Sequence, residues 1–179
     1  HAHADEIGNL AIKRGASTLP QMPQAQPMFT QPSLPKRLRP RTVADGTMPG
    51  SISAAIQQQI KDDNPAGARA LLDGIDASLS AEARAEWRQK VAWSFYIEND
   101  DASAYAMAQM GAQGYGPWVA EAWWTAGLAA WRMGDCEGAG QAFERGAAGA
   151  ENPELKAAAL YWQSRAAVER ASIGGPRAS

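Results

Sequence analysis

Apolar residues recur at helical spacing from Ser51 onward, and no comparable run precedes it. Ile52, Ala55, Ile56 and Ile60 lie three or four apart, the spacing that lines one face of a helix. Asn64-Pro65 then supplies a cap residue and a proline at the first helical position, a start signal for a second helix. Its inner face is Ala68, Leu71, Leu72 and Ile75. Ser80 caps a third helix reaching about Ile97, with Trp87, Val91, Ser94 and Phe95 on one side. Glu98-Asn99-Asp100 breaks it, and Asp100 caps a partner whose apolar face reads Ala102, Tyr105, Ala106 and Met110. Gly111, Gly114 and Gly116 supply the next turn. Pro117 opens a helix with Trp124, Gly127, Leu128 and Trp131 on one face, and Gly127 leaves room for a neighbour to approach closely. Gly134 ends that helix and Asp135 caps the next, where Cys136, Ala139, Phe143 and Ala147 face inward. Asn152-Pro153 repeats the cap-plus-proline start. Leu155, Ala159, Trp162 and Ala166 form the face of a last helix ending near Ala171, followed by a loop at Ile173-Gly174-Gly175-Pro176.

Helix–turn–helix thus repeats with a period of about 34 to 36 residues, small residues alternating with aromatic ones on the inner faces. The pattern predicts an all-α fold of three helical hairpins and a final helix. No hairpin of this kind buries its face alone, so they are expected to stack as an array. The last helix, with Tyr161 and Trp162, lacks a partner in the sequence, which suggests either a continuation past Ser179 or a cap on the array.

Residues 1–50 read as an extended or disordered tail before a helical-repeat domain over 51–172 and a C-terminal loop over 173–179. Pro20, Pro23, Pro27, Pro32, Pro35, Pro40 and Pro49 remove backbone donors and hold their neighbours extended. Few large apolar residues offset the ordering entropy. A short helix fits Ile7–Arg14; the rest is expected to be mobile or laid across the helical body. Pro32-Ser33-Leu34-Pro35 followed by Lys36-Arg37 has the form of an SH3-type ligand, though linker is the default reading.

Charge changes this picture slightly. The chain carries 17 basic and 19 acidic side chains, which gives no argument for nucleic acid or an anionic membrane. The distribution is uneven: residues 1–50 hold six Lys/Arg and three Asp/Glu, residues 51–179 eleven and sixteen. A basic tail precedes an acidic body. One cysteine, Cys136, excludes an internal disulfide and a cysteine-rich metal site. No apolar run of about 18 residues is present, so no membrane span is expected, and the N-terminus lacks the features of a signal peptide. His1 and His3, the only histidines, fit a processed terminus or tag remnant.

The segment from Gly134 to Arg145 resembles the second helix of a tetratricopeptide repeat. Trp123 and Gly127 fall at the large and small positions of its first helix, Gly134, Ala139 and Phe143 at other anchors, and Cys136 replaces the usual aromatic. A narrower resemblance rests on Gly127-Leu128-Ala129-Ala130-Trp131-Arg132-Met133-Gly134-Asp135, then Phe143, then Ala159-Leu160-Tyr161-Trp162-Gln163-Ser164-Arg165-Ala166-Ala167. These runs are similar to the non-catalytic helical superhelix of soluble lytic murein transglycosylases, over about 45 residues. The resemblance implies a tetratricopeptide-like superhelix, a periplasmic location, and a part in holding peptidoglycan glycan strands near a downstream catalytic domain. That domain would carry a Glu-Ser pair and a Gly-Leu-Met-Gln motif; neither occurs here, so no catalytic residue carries over. The alternative is a tetratricopeptide-type module that binds a peptide in its concave face with no enzyme attached, its basic proline-rich tail a self-docking or partner-docking arm.

Trp118, Trp123 and Trp124 are the candidate ligand-groove residues, because aromatic faces stack on sugar rings; helical spacing places most of the tryptophans in the core instead. Glu98, Asp100 and Asp101 have the carboxylate clustering of a glycosidase pair or cation site, but sit in a turn where acids cap and solubilise. Arg132 and Arg165 read as braces between helices, and Cys136 as a small buried group. No nucleophile–base pair, metal-ligand spacing or phosphate loop is visible, so no cofactor is expected.

Overall fold

A computed structural model describes residues 3–19 and 38–174. The chain divides into two units, residues 1–36 and 37–179. The described part of the first is one helix, α1 (Ala4–Lys13), whose first turn carries Asp5 and Glu6 against the positive end of the helix dipole. It begins three residues before the sequence pattern suggested. The Pro32–Arg37 run lies outside the described residues.

The second unit contains α2 (Gly50–Lys61), α3 (Pro65–Asp73), a 3-10 turn at Asp76–Ser78, α4 (Ala81–Ile97), α5 (Asp101–Ala112), α6 (Trp118–Arg132), α7 (Cys136–Gly149) and α8 (Pro153–Gly174). Helix is the regular secondary structure of the described residues, which contain no strand. One turn recurs three times. Asp63, Asn99 and Gly134 each take a positive φ, of 54°, 62° and 81°. The residue after each sends its N–H to a carbonyl five residues back: Asn64 to Gln59, Asp100 to Phe95 and Asp135 to Ala130, at 2.9 to 3.0 Å. This is the hydrogen bond that closes a Schellman-type helix end. The same residue then caps the next helix, its side chain accepting from the N–H of Gly67, Ser103 or Gly138. One short sequence, a left-handed residue followed by Asn or Asp, therefore ends one helix and begins another, at intervals matching the repeat period. Each cap contributes roughly 1 kcal/mol.

Three like turns make three like hairpins, α2–α3, α4–α5 and α6–α7, with α8 following. Each helix packs on its neighbours in sequence, and α6 also packs on α4 and α8. The architecture is helical-repeat-like, and its core lies in two clusters. Ile56, Leu72, Trp87, Val91, Phe95 and Met107 centre the first; Trp124, Leu128, Phe143, Leu155 and Ala159 centre the second. Between them, buried Gln89 on α4 donates to Thr125 Oγ1 on α6 at 3.2 Å, satisfying both polar groups.

Two expectations need correction. On α5 the buried residues are Ala104, Met107, Ala108 and Gly111, while Ala102 and Ala106 are exposed. That helix is apolar nearly all round, so spacing alone does not select its face. Gly111 selects it: a Cβ there would lie 3.4 Å from Ala122 Cβ, Arg88 Cβ and the Gln89 amide. At the C-terminus, α8 continues to Gly174 instead of ending near Ala171. Glycine weakens a helix by only about 1 kcal/mol, and no proline interrupts the chain before Pro176.

Candidate functional site

Residues 38–49 lie across the helical body as a strap. The strap crosses α4 and α6, the first helices of successive hairpins, and the start of α8. At its C-terminal end, Asp45 turns the chain with Gly46 at φ +79°. Asp45 Oδ1 accepts from the Thr47 N–H at 2.9 Å and the Thr47 hydroxyl at 2.8 Å. The Ser80 hydroxyl donates to Asp45 Oδ2, and Ser80 in turn accepts from the Ala83 N–H as the α4 cap. The Ser80 N–H donates to Thr47 Oγ1 at 3.2 Å. Every polar atom of this clip has a consistent direction, and the carboxylate sits at the positive end of α4.

In the middle of the strap, the Val43 N–H donates to Glu86 Oε2 at 2.6 Å. Glu86 is wholly buried and also pairs with Lys90 one turn further along α4. The Lys90 ammonium lies 4.4 Å from the Trp87 ring centroid and 5.4 Å from that of Trp118, favourable cation–π distances. Val43 and Met48 pack against the first core cluster. At the other end, Trp118 Nε1–H donates to the Arg41 carbonyl at 2.9 Å and Asn152 Nδ2–H to the Leu38 carbonyl at 2.8 Å. The Arg39 guanidinium stands 5.7 Å from the Trp93 ring centre. Beside the strap opens a cavity of about 520 Å³ whose lining includes Arg39, Pro40, Arg41, Glu121, Asn152 and Leu155. Its volume is within the range of small-ligand sites.

The three candidate tryptophans have separate surroundings. Trp118 is only 4% exposed and grips the strap backbone. Trp123 is half-buried, with the Arg145 guanidinium 4.7 Å from its ring centre. Trp124 is buried against Phe143, ring centres 5.5 Å apart. Of the three carboxylates at the α4–α5 turn, Asp100 caps α5, Asp101 pairs with Arg132, and Glu98 is exposed. Arg132 also reaches the Tyr96 carbonyl at 2.6 Å and Asn99 Oδ1 at 3.3 Å, so it braces α6 against that turn. Arg165 reaches no further than Tyr161 on its own helix, 3.5 Å away. Cys136 is half-buried and His3 faces Glu6 at 3.2 Å. Among the described residues no group of three His, Cys, Asp or Glu is placed to hold a metal ion, and no helix is long and apolar enough to cross a membrane.

Sequence reasoning allowed for a strap but missed its anchors. Glu86 was not singled out, Trp118 was a candidate for a ligand groove and Asn152 was read as a cap alone. Asn152 does cap α8, accepting from Glu154 and Leu155, while its amide nitrogen holds the strap.

The clip at Asp45 gives the strap an acid limit. The Ser80 hydroxyl, then the Thr47 N–H and hydroxyl, hold the Asp45 carboxyl below its ordinary value of 3.8. A carboxylate lowered by folding stabilises the folded form above that ordinary value, and the contribution is lost as pH falls through the lowered one. Protection of the Thr47 and Ser80 amides, taken relative to their intrinsic exchange rates, is therefore expected to fall only below pH 3.8. Asp45→Asn should remove that pH dependence; an unchanged acid profile in the variant would show that another group controls it.

No protein-family model, curated protein or solved structure was found to match the chain.

Proposed function

We propose that this chain is the helical scaffold segment of a bacterial lytic murein transglycosylase, itself without the catalytic site. The supporting observation is how the residues of the family-like runs meet. Gly127 leaves space that the Phe143 ring fills: a Cβ at 127 would lie 2.6 Å from two of its carbons. Phe143 and Trp162 stand 6.1 Å apart, and Trp131 and Trp162 5.4 Å apart edge to face. Runs separated in sequence thus form one packing unit joining α6, α7 and α8. Such packing is what a scaffold role would require of these runs. In this reading the hairpins stack as a tetratricopeptide-like superhelix in the periplasm and guide glycan strands to a downstream domain. That domain would cleave between muramic acid and glucosamine without water, leaving anhydro-muramyl ends.

The test is the native reading frame beyond Ser179, followed by digestion of purified sacculi with its full product. A downstream domain bearing Glu-Ser and Gly-Leu-Met-Gln, with anhydro-muramyl fragments released, supports the proposal. A stop codon immediately after Ser179 overturns it.

A further inference from the structure

We propose that the face crossed by the strap is a receptor for extended basic polypeptide segments of a partner protein, and that residues 38–49 are its resident, displaceable occupant. The inference stands apart from the murein reading and uses only the second unit of the chain.

The first argument is the kind of contact. Trp118 and Asn152 donate to the carbonyls of Arg41 and Leu38, and Glu86 accepts from the N–H of Val43. All three anchors address main-chain atoms. Such contacts select an extended backbone and tolerate different side chains, as in other modes of extended-peptide recognition.

The second is an asymmetry of burial. The anchors Glu86 and Trp118 are buried beneath the strap, but Leu38, Arg39, Arg41, Thr42 and Ala44 are exposed. The occupant is held at a few points, and only Val43 and Met48 of its side chains pack on a core cluster, so its departure uncovers one edge of the first cluster and leaves the second untouched.

The third is charge. Residues 38–49 carry Arg39 and Arg41 against one acid, Asp45, whereas residues 51–179 carry an acidic excess. Locally, Arg39 and Arg41 run past Glu121 and Glu151, which also line the cavity. A basic segment is attracted to this face and an acidic one repelled.

The fourth is fit. The cavity of about 520 Å³ beside Arg39–Arg41 is volume that the strap leaves unfilled. A partner with a larger apolar residue where the strap has Pro40 would occupy it.

The experiment uses the full chain and a fluorescent peptide spanning residues 37–49 as probe, read by anisotropy. Val43→Pro removes the N–H that Glu86 accepts and loosens the chain's own strap. The variant should bind the probe about tenfold more tightly than the unmodified protein, because its site is empty more of the time. Replacing both Arg39 and Arg41 by Glu in the probe should weaken binding at least about tenfold. Replacing Pro40 by Leu in the probe should strengthen it. Should Val43→Pro fail to fold, Thr47→Ala loosens the strap from its other end and serves the same comparison. Equal binding by the loosened and unmodified proteins overturns the proposal, as does indifference to the Arg→Glu change. Concentration-dependent dimers without probe uptake also overturn it, since the face would then exchange straps between copies.

Discussion

Phe143→Ala is expected to destabilise the protein by about 3–5 kcal/mol, lowering its melting temperature by roughly 10 °C. Phe143 has no exposed surface and stands against Trp124 and Trp162, so its ring joins α6, α7 and α8. Removing it leaves a cavity whose walls are other large rings, which cannot all move inward together. Gly127→Ala should act through the same contact with the opposite geometry. Its new Cβ would stand 2.6 Å from the Phe143 ring, and that ring is flanked by Trp124 and Trp162. Overpacking of this kind costs about 1–3 kcal/mol, against a gain of up to about 1 kcal/mol in helix propensity. The double variant discriminates. Once Phe143 is Ala, the methyl at 127 enters vacated space, and Gly127→Ala should become stabilising by up to about 1 kcal/mol. Urea unfolding of the four proteins in the cycle measures this reversal. If Gly127→Ala is equally destabilising in both backgrounds, close approach to Phe143 is not the reason for glycine there.

The hairpins were legible in the sequence because their boundaries are local chemistry. Asn64, Ser80, Asp100, Asp135 and Asn152 each cap a helix in the structure through their own side chains, so spacing and residue type suffice to find them. Faces were legible only where polar residues mark the outside. On α7 and α8 Phe143, Ala147, Leu155 and Ala166 are buried as the spacing indicates. On α4, Glu86, Gln89 and Ser94 are buried alongside Trp87 and Phe95, so polarity and burial part company. The strap explains the first of those residues. Its anchors meet main-chain carbonyl and N–H groups, which all residues but proline carry alike, and the strap itself therefore leaves no pattern by which they could be located. The basic-before-acidic charge division was the only signal pointing to them.

Glu86 is where burial, charge and the strap meet, and Glu86→Ala is expected to cost about 3 kcal/mol. The change strands two groups. Lys90 loses its carboxylate while its side chain is only 22% exposed, beneath the Trp87 and Trp118 rings. The Val43 N–H loses its acceptor. Glu86→Gln keeps the shape and an acceptor oxygen for Val43 but not the charge facing Lys90, so about half of that loss is expected. Combining Glu86→Leu with Lys90→Met removes both charges together. Its cost should fall to about 1–2 kcal/mol, mainly that of the orphaned Val43 amide. Urea midpoints rank the three proteins, and amide exchange at Val43 reports the strap separately. Glu86→Ala and the double variant should both deprotect Val43, whereas Glu86→Gln should leave it protected. Should the double variant be as unstable as Glu86→Ala, the stranded Lys90 charge is not the source of the loss, and Glu86 matters chiefly as the anchor of the strap.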